Sequence, residues 1–92
     1  GITDILVSPQ IRASFSMLES LLEAGASSGE RLMTDSSEQG GYVIEGQLTL
    51  WLGDDAEPAT LNAGDSFQFD SHTRCRYANL TQQLARVLWV YT

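Results

Sequence analysis

The sequence predicts an all-β domain, a small antiparallel sandwich or barrel, on three observations. Its 92 residues leave room for one hydrophobic core and no second folded unit. Short stretches alternate apolar and polar residues with period two. Clusters of Gly, Asn, Asp and Pro separate these stretches at intervals of about 8–12 residues, the spacing of strands in sandwiches and barrels.

Taken in order, residues 2–7 are short and rich in β-branched side chains, and Pro9 ends them by removing a ladder donor; they predict an edge strand. Residues 15–22 satisfy two patterns, since Phe15, Met17 and Leu21 alternate while Met17, Leu18, Leu21 and Leu22 make a helical stripe. Strand is favoured because the turn-rich 24–29 follows and the rest of the chain alternates. Residues 42–52 alternate throughout but carry Gly46 in the middle, which predicts two strands around a bend. The segment 53–58 is a turn, 59–61 a short strand, 62–65 a second turn and 66–69 a strand. Residues 70–73 break the pattern, 74–78 resume it, 79–83 turn the chain, and 84–91 close it as a strongly apolar strand.

Charge narrows the function classes. Twelve Asp and Glu stand against five Arg and no Lys, a net charge of −7. Phosphate backbones need a basic patch, and the five Arg are scattered except for Arg74 and Arg76, so direct nucleic-acid binding is disfavoured. No apolar run reaches the ~18–20 residues that span a bilayer, and the opening residues lack the basic region and apolar segment of a signal peptide. Cys75 is the single cysteine, which leaves no intrachain disulfide and fits a reducing, cytoplasmic setting. A chain that starts at Gly1 without Met reads as an excised piece of a longer protein.

Two segments carry a family resemblance. Glu38-Gln39-Gly40-Gly41-Tyr42-Val43-Ile44-Glu45-Gly46, preceded by Gly29-Glu30, resembles the first cupin motif with its YVxEG ending; Gly64-Asp65-Ser66-Phe67-Gln68-Phe69 through Arg76-Tyr77-Ala78-Asn79 resembles the second. With the final strand 85–90 the resemblance spans nearly the whole chain. It implies a small antiparallel jelly-roll β-barrel. Ser27-Ser28-Gly29-Glu30 and Arg86-Val87-Leu88-Trp89-Val90 are similar to the cupin domains that follow a helix-turn-helix domain (XRE type) in bacterial transcriptional regulators, where the module senses a small molecule and helps the chain dimerise.

The resemblance also implies where a metal would sit, and there the sequence departs from the family. Two His, a Glu and a later His are replaced by Met33, Asp35, Gln39 and Cys75. A thioether, a carboxylate, an amide and a thiol make a weak, unselective donor set, so no metal and no other cofactor is expected. His72, the only histidine, lies three residues before Cys75; a Cys/His pair can activate a nucleophile, but at this spacing the two side chains tend to opposite faces. His72 is read as a solvent-exposed turn residue and Cys75 as a small buried hydrophobe, with redox sensing the sharper alternative. Phe67 and Phe69 share a face and should pack together; Trp51 and Trp89 read as core or interface anchors. Arg74 and Arg76 read as solvated or paired with acidic residues.

If Met33 and Asp35 point inward like their family counterparts, period two places Arg31 with them, and Cys75 brings Tyr77. The candidate ligand site is therefore Arg31, Met33, Asp35, Gln39, Cys75 and Tyr77. Arg31 is suited to clamp a carboxylate and Asp35 to accept from an amine; the bland alternative is that the two pair with each other or lie at the wet rim. The expected function is a metal-free effector-binding and homodimerisation domain, meeting DNA only through a domain outside this chain and no membrane. The rival readings are a small stand-alone enzyme using Asp35 and Cys75, with or without His72, and a structural dimerisation module with a filled barrel.

Overall fold

The computed structural model describes residues 1–10, 14–29, 33–34, 38–53 and 57–92. Every regular element among them is a strand: β1 (Ile2–Leu6), β2 (Ser16–Leu22), β3 (Met33–Thr34), β4 (Gln39–Glu45), β5 (Gln47–Leu52), β6 (Ala59–Asn62), β7 (Ser66–Phe69), β8 (Arg74–Ala78) and β9 (Ala85–Tyr91). They form a five-stranded sheet in the order β1-β2-β9-β4-β7 and a four-stranded sheet in the order β3-β8-β5-β6. All strand pairs are antiparallel. Sequence neighbours β4 and β5 belong to different sheets, as do β6 and β7, so the chain repeatedly crosses between layers; this is a small jelly-roll barrel.

Alternation decides what each strand buries. On β9, Ala85, Val87 and Trp89 are buried while Arg86, Leu88 and Val90 face the other way. Leu48 and Leu50 of β5, Val43 of β4, Phe69 of β7 and Leu22 of β2 complete the core between the sheets. β2 is a strand because pairing on both sides settles what its sequence left ambiguous. β1 and β9 flank it in continuous register, Leu6↔Leu18 and Leu18↔Trp89 included, and only an extended chain meets both. As expected, β1 is an edge strand.

The bend at Gly46 has a steric cause. Its φ is +79°, and a Cβ there would lie 2.5 Å from the Leu84 carbonyl oxygen and 2.9 Å from the Ala85 Cα. Only glycine allows β4 to turn into β5 against the start of β9. Just before it the register shifts by one residue between Val43 and Glu45, so Glu45 pairs with Arg86 across a bulge.

A second device closes the opposite turn. Asn79 has no exposed surface, and its side-chain amide donates to the carbonyls of Leu22 (3.0 Å), Glu23 (3.2 Å) and Gln83 (2.6 Å). Its oxygen accepts from the Thr81 amide (3.0 Å) and hydroxyl (2.7 Å). One buried side chain thus ties the end of β2, the 79–83 turn and the approach to β9. Residues 26–28 join the same region: the Ser28 amide donates to the Tyr77 carbonyl at 2.9 Å, and the Ser28 hydroxyl accepts from the Tyr77 amide at 3.0 Å.

Candidate ligand-binding interior

Four aromatic rings occupy the space between the sheets. Phe67 and Phe69 stack nearly parallel with centroids 6.4 Å apart, because two residues separated by one on a strand share its inner face. Phe67 meets Trp89 edge to face at 4.9 Å, and Tyr77, from the four-stranded sheet, tilts against Trp89 at 5.0 Å. The Phe67 ring lies over Gly41, where any Cβ would collide with its Cζ and sit 2.7 Å from the Leu88 carbonyl. Gly41 is the empty position that admits the ring.

Among the described residues, one buried side-chain polar atom lacks a partner: the indole nitrogen of Trp89 makes no hydrogen bond. A buried donor left without an acceptor costs about 1–3 kcal/mol, and the neighbouring ring faces offer only a weak N–H···π contact. Ser20, equally buried, donates its hydroxyl to Asp4 at 2.6 Å.

The residues singled out from sequence divide between the two sheets. Met33 and Cys75 are opposite partners on β3 and β8, so their backbones meet as the motif positions require. Tyr77 follows Cys75 on the same face. Gln39 stands on the facing sheet at the start of β4, opposite Phe69 and Tyr91. Arg31 and Asp35 lie outside the described residues, as does Glu30. Cys75 is buried, and burial pushes its thiol up to about 11. Tyr77 is raised as well, by burial first and then by the nearby Asp4 and Cys75.

His72 is exposed and adopts φ +66°, in the left-handed region that glycine favours, within the turn before β8. It reads as a turn residue here too. Arg76 departs from its expected solvated or acid-paired setting: its guanidinium carbon lies 4.1 Å from the centre of the Trp51 ring, a cation–π stack on the outside of the four-stranded sheet. Asn79 was the residue whose importance periodicity missed. A buried Asn followed two residues later by Thr is the signal that could have marked it, because such pairs bond to local backbone.

Among the described residues no three His, Cys, Asp or Glu side chains group to hold a metal ion. Of the described positions that would carry the family's metal, Cys75 offers a thiol held protonated and Gln39 a neutral amide, and neither fits a divalent cation, which binds thiolate, imidazole or carboxylate; Asp35, the carboxylate of the set, lies outside the described residues. No helix among the described residues is long and apolar enough to cross a membrane.

Fold and interior together define a jelly-roll barrel lined by aromatic and weakly polar groups. The chain belongs to the cupin family: the cupin domain model Cupin_2 matches residues 18–91. Solved structures agree on the fold. The Schizosaccharomyces pombe Cnp3 cupin domain superposes with a TM-score of 0.85 at 11% identity, over 99% of this chain and 60% of that one. The Cupin_2 domain of an XRE family transcriptional regulator from Enterobacter cloacae gives 0.80 at 19% identity, over 98% and 94%. KdgF from a Halomonas species gives 0.82 at 22% identity, over 99% and 77%. No curated protein sequence matches the chain.

Proposed function

We propose that this cupin domain is the effector-binding and dimerisation module of a cytoplasmic bacterial transcriptional regulator, and that the effector lies between the two sheets. The observation that carries the ligand is the Trp89 indole N–H, buried among aromatic rings without an acceptor. A small molecule with a carbonyl or carboxylate oxygen supplies what this donor lacks, and the Phe67 and Tyr77 rings suit a flat, apolar body. The regulator context is supported by the resemblance to the Enterobacter cloacae domain, which this chain matches almost end to end. Arg31, Met33, Asp35, Gln39, Cys75 and Tyr77 complete the proposed site, with Arg31 as the clamp for a carboxylate. DNA is then contacted by a helix-turn-helix domain in a longer chain.

Binding to the folded state raises stability by mass action. A panel of carbonyl- and carboxylate-bearing metabolites should give at least one dose-dependent rise in melting temperature. Trp89→Phe keeps an aromatic ring and removes the donor, so the gain from deleting an unpartnered N–H offsets part of the cavity the smaller ring leaves, while the ligand-induced rise shrinks; Arg31→Ala should abolish it for a carboxylate. A panel without any rise, or a rise untouched by both variants, overturns the site. The aromatic packing also favours a second reading, a purely structural dimerisation module with a filled barrel, and a flat panel would select it. An antibody against the domain should detect a native product heavier than 10.1 kDa by a small DNA-binding domain of ~60–100 residues; a product of the same mass removes the regulator.

A further inference from the structure

The inner face of β2 is interrupted by a polar residue. Leu18 and Leu22 pack with the core, and between them stands Ser20, which has no exposed surface. Its hydroxyl donates to the Asp4 carboxylate at 2.6 Å. Asp4 lies opposite Ser20 in the register of β1 and β2, on the same face of β1 as Ile2, which packs against the core. Period two therefore turns Asp4 toward the inside of the barrel, while the place of β1 at the sheet edge leaves the residue exposed to solvent. We propose that Asp4 binds a cationic amine on the effector, so that the effector is a small molecule carrying both an ammonium group and a carbonyl or carboxylate oxygen. The inference rests on the reading above that a ligand enters between the sheets, and it adds the residue that selects the ligand's charge.

Three observations lead to an amine. The first is an acid without a cation. Among the described residues no positive group pairs with Asp4: the Gly1 amine is held by Glu23 at 3.1 Å, Arg86 by Glu19 at 2.8 Å, and Arg76 lies over Trp51 on the outside of the other sheet. The Ser20 hydroxyl takes one acceptor site of a carboxylate that has about four. The second is where the charge acts. The hydroxyl of Tyr77, a ring tilted against Trp89, is raised by burial first and then by Asp4 and Cys75. The negative charge thus reaches the aromatic interior, where ring faces also favour a cation. The third is the separation from Trp89. Through Ser20 and Val87 the registers set Asp4 and Trp89 two strands and two residues apart, roughly 12 Å between Cα atoms. That is too far for the two to bond each other, yet both face one interior. A small molecule with its amine on Asp4 places its oxygen toward the buried indole N–H that lacks an acceptor. The Ser20 bond also fastens β1 to β2, but a neutral acceptor would fasten it equally, and a latch needs no inward charge. Nor is the acid part of the shared barrel, since the family match begins at residue 18.

The test is thermal shift with ω-amino acids of three to six carbons, each beside the hydroxy acid of the same length. In at least one pair the amino acid should raise the melting temperature with dose, and its hydroxy partner should need about ten times the concentration. Asp4→Asn keeps an oxygen to accept from Ser20 and removes the charge; the apo protein should match the parent in circular dichroism, and the two members of the pair should become equal. Asp4→Glu restores the charge one methylene further in, so it should keep the preference for the amine and move it to a shorter amino acid. Glu57→Gln, an exposed acid before β6, should leave the preference unchanged, which separates Asp4 from the general attraction of a chain of charge −7 for cations. Hydroxy acids that match their amino partners on the parent overturn the inference, whether or not Asp4→Asn folds. So does a preference that survives Asp4→Asn or falls as far with Glu57→Gln. In each of these cases the ligand site itself stands. A parent shifted only by amine-free members of the metabolite panel likewise rejects Asp4 alone, and a parent that nothing shifts rejects both readings.

Discussion

At Cys75 a single ionisation separates the structural role from the chemical one. Burial holds the folded thiol near 11 against 9.0 when exposed, so at neutral pH almost no thiolate exists and attack on an electrophile is slow. The same shift has a stability consequence with a definite sign. Below pH 9 both folded and unfolded chains keep the proton and the group is silent. Between about pH 9 and 11 the unfolded chain loses it first, binds fewer protons than the folded one, and stability falls as pH rises. Cys75→Ala should flatten much of that decline, leaving the part due to the raised Tyr77 hydroxyl. Denaturant titrations at pH 7, 9 and 10.5 measure it. Labelling of the parent by a thiol reagent at pH 7.5 should require unfolding; rapid labelling of the folded protein would restore the reactive-cysteine reading.

Among the elements, the strands and the clip that joins them were legible to different degrees. Strand positions followed from period two and turn residues, with boundaries within a residue or so for β6 through β9, because a half-buried sheet imprints its alternation directly on sequence. β2 was ambiguous alone and was settled by partners on both sides, which no local pattern contains. The site was legible less far. The register sets Met33 opposite Cys75, a pairing that the motif spacing alone does not state. Parity could not say that Gln39 approaches from the opposite sheet, nor that Trp89 would carry the unpartnered donor, because both depend on how the two sheets face each other. Asn79 was hidden for another reason: its value lies in five hydrogen bonds to turn and strand ends, not in periodicity. Asn79→Ala leaves the buried Leu22 carbonyl, the part-buried Glu23 and Gln83 carbonyls and the Thr81 amide without this partner and should cost about 3 kcal/mol. Urea unfolding checks this. Asn79→Asp should be nearly as damaging, since it keeps the acceptor but replaces the amide donor by a charge facing carbonyl oxygens.

For the whole molecule, the proposed dimer sets two opposing electrostatic terms against each other, and magnitude decides between them. Two chains of −7 stacked through a molecule whose shortest extent is 22 Å have centres about 20 Å apart. Coulomb's law in water then gives a repulsion on the order of 10 kcal/mol before screening. A Debye length of 30 Å at 0.01 M salt leaves roughly half of it, and one of 8 Å at 0.15 M removes most of it. Against this stand any ion pairs formed between the copies, and exposed pairs are worth only about 0–1 kcal/mol each. Repulsion should win, and adding salt should strengthen the dimer. The dissociation constant is expected to fall by two to three orders of magnitude, the several kcal/mol just estimated, as sodium chloride rises from about 0.01 M to 0.15 M, with little further change above it. Sedimentation equilibrium over that series measures it. A dimer that weakens with salt would mean that ion pairs between copies hold it together.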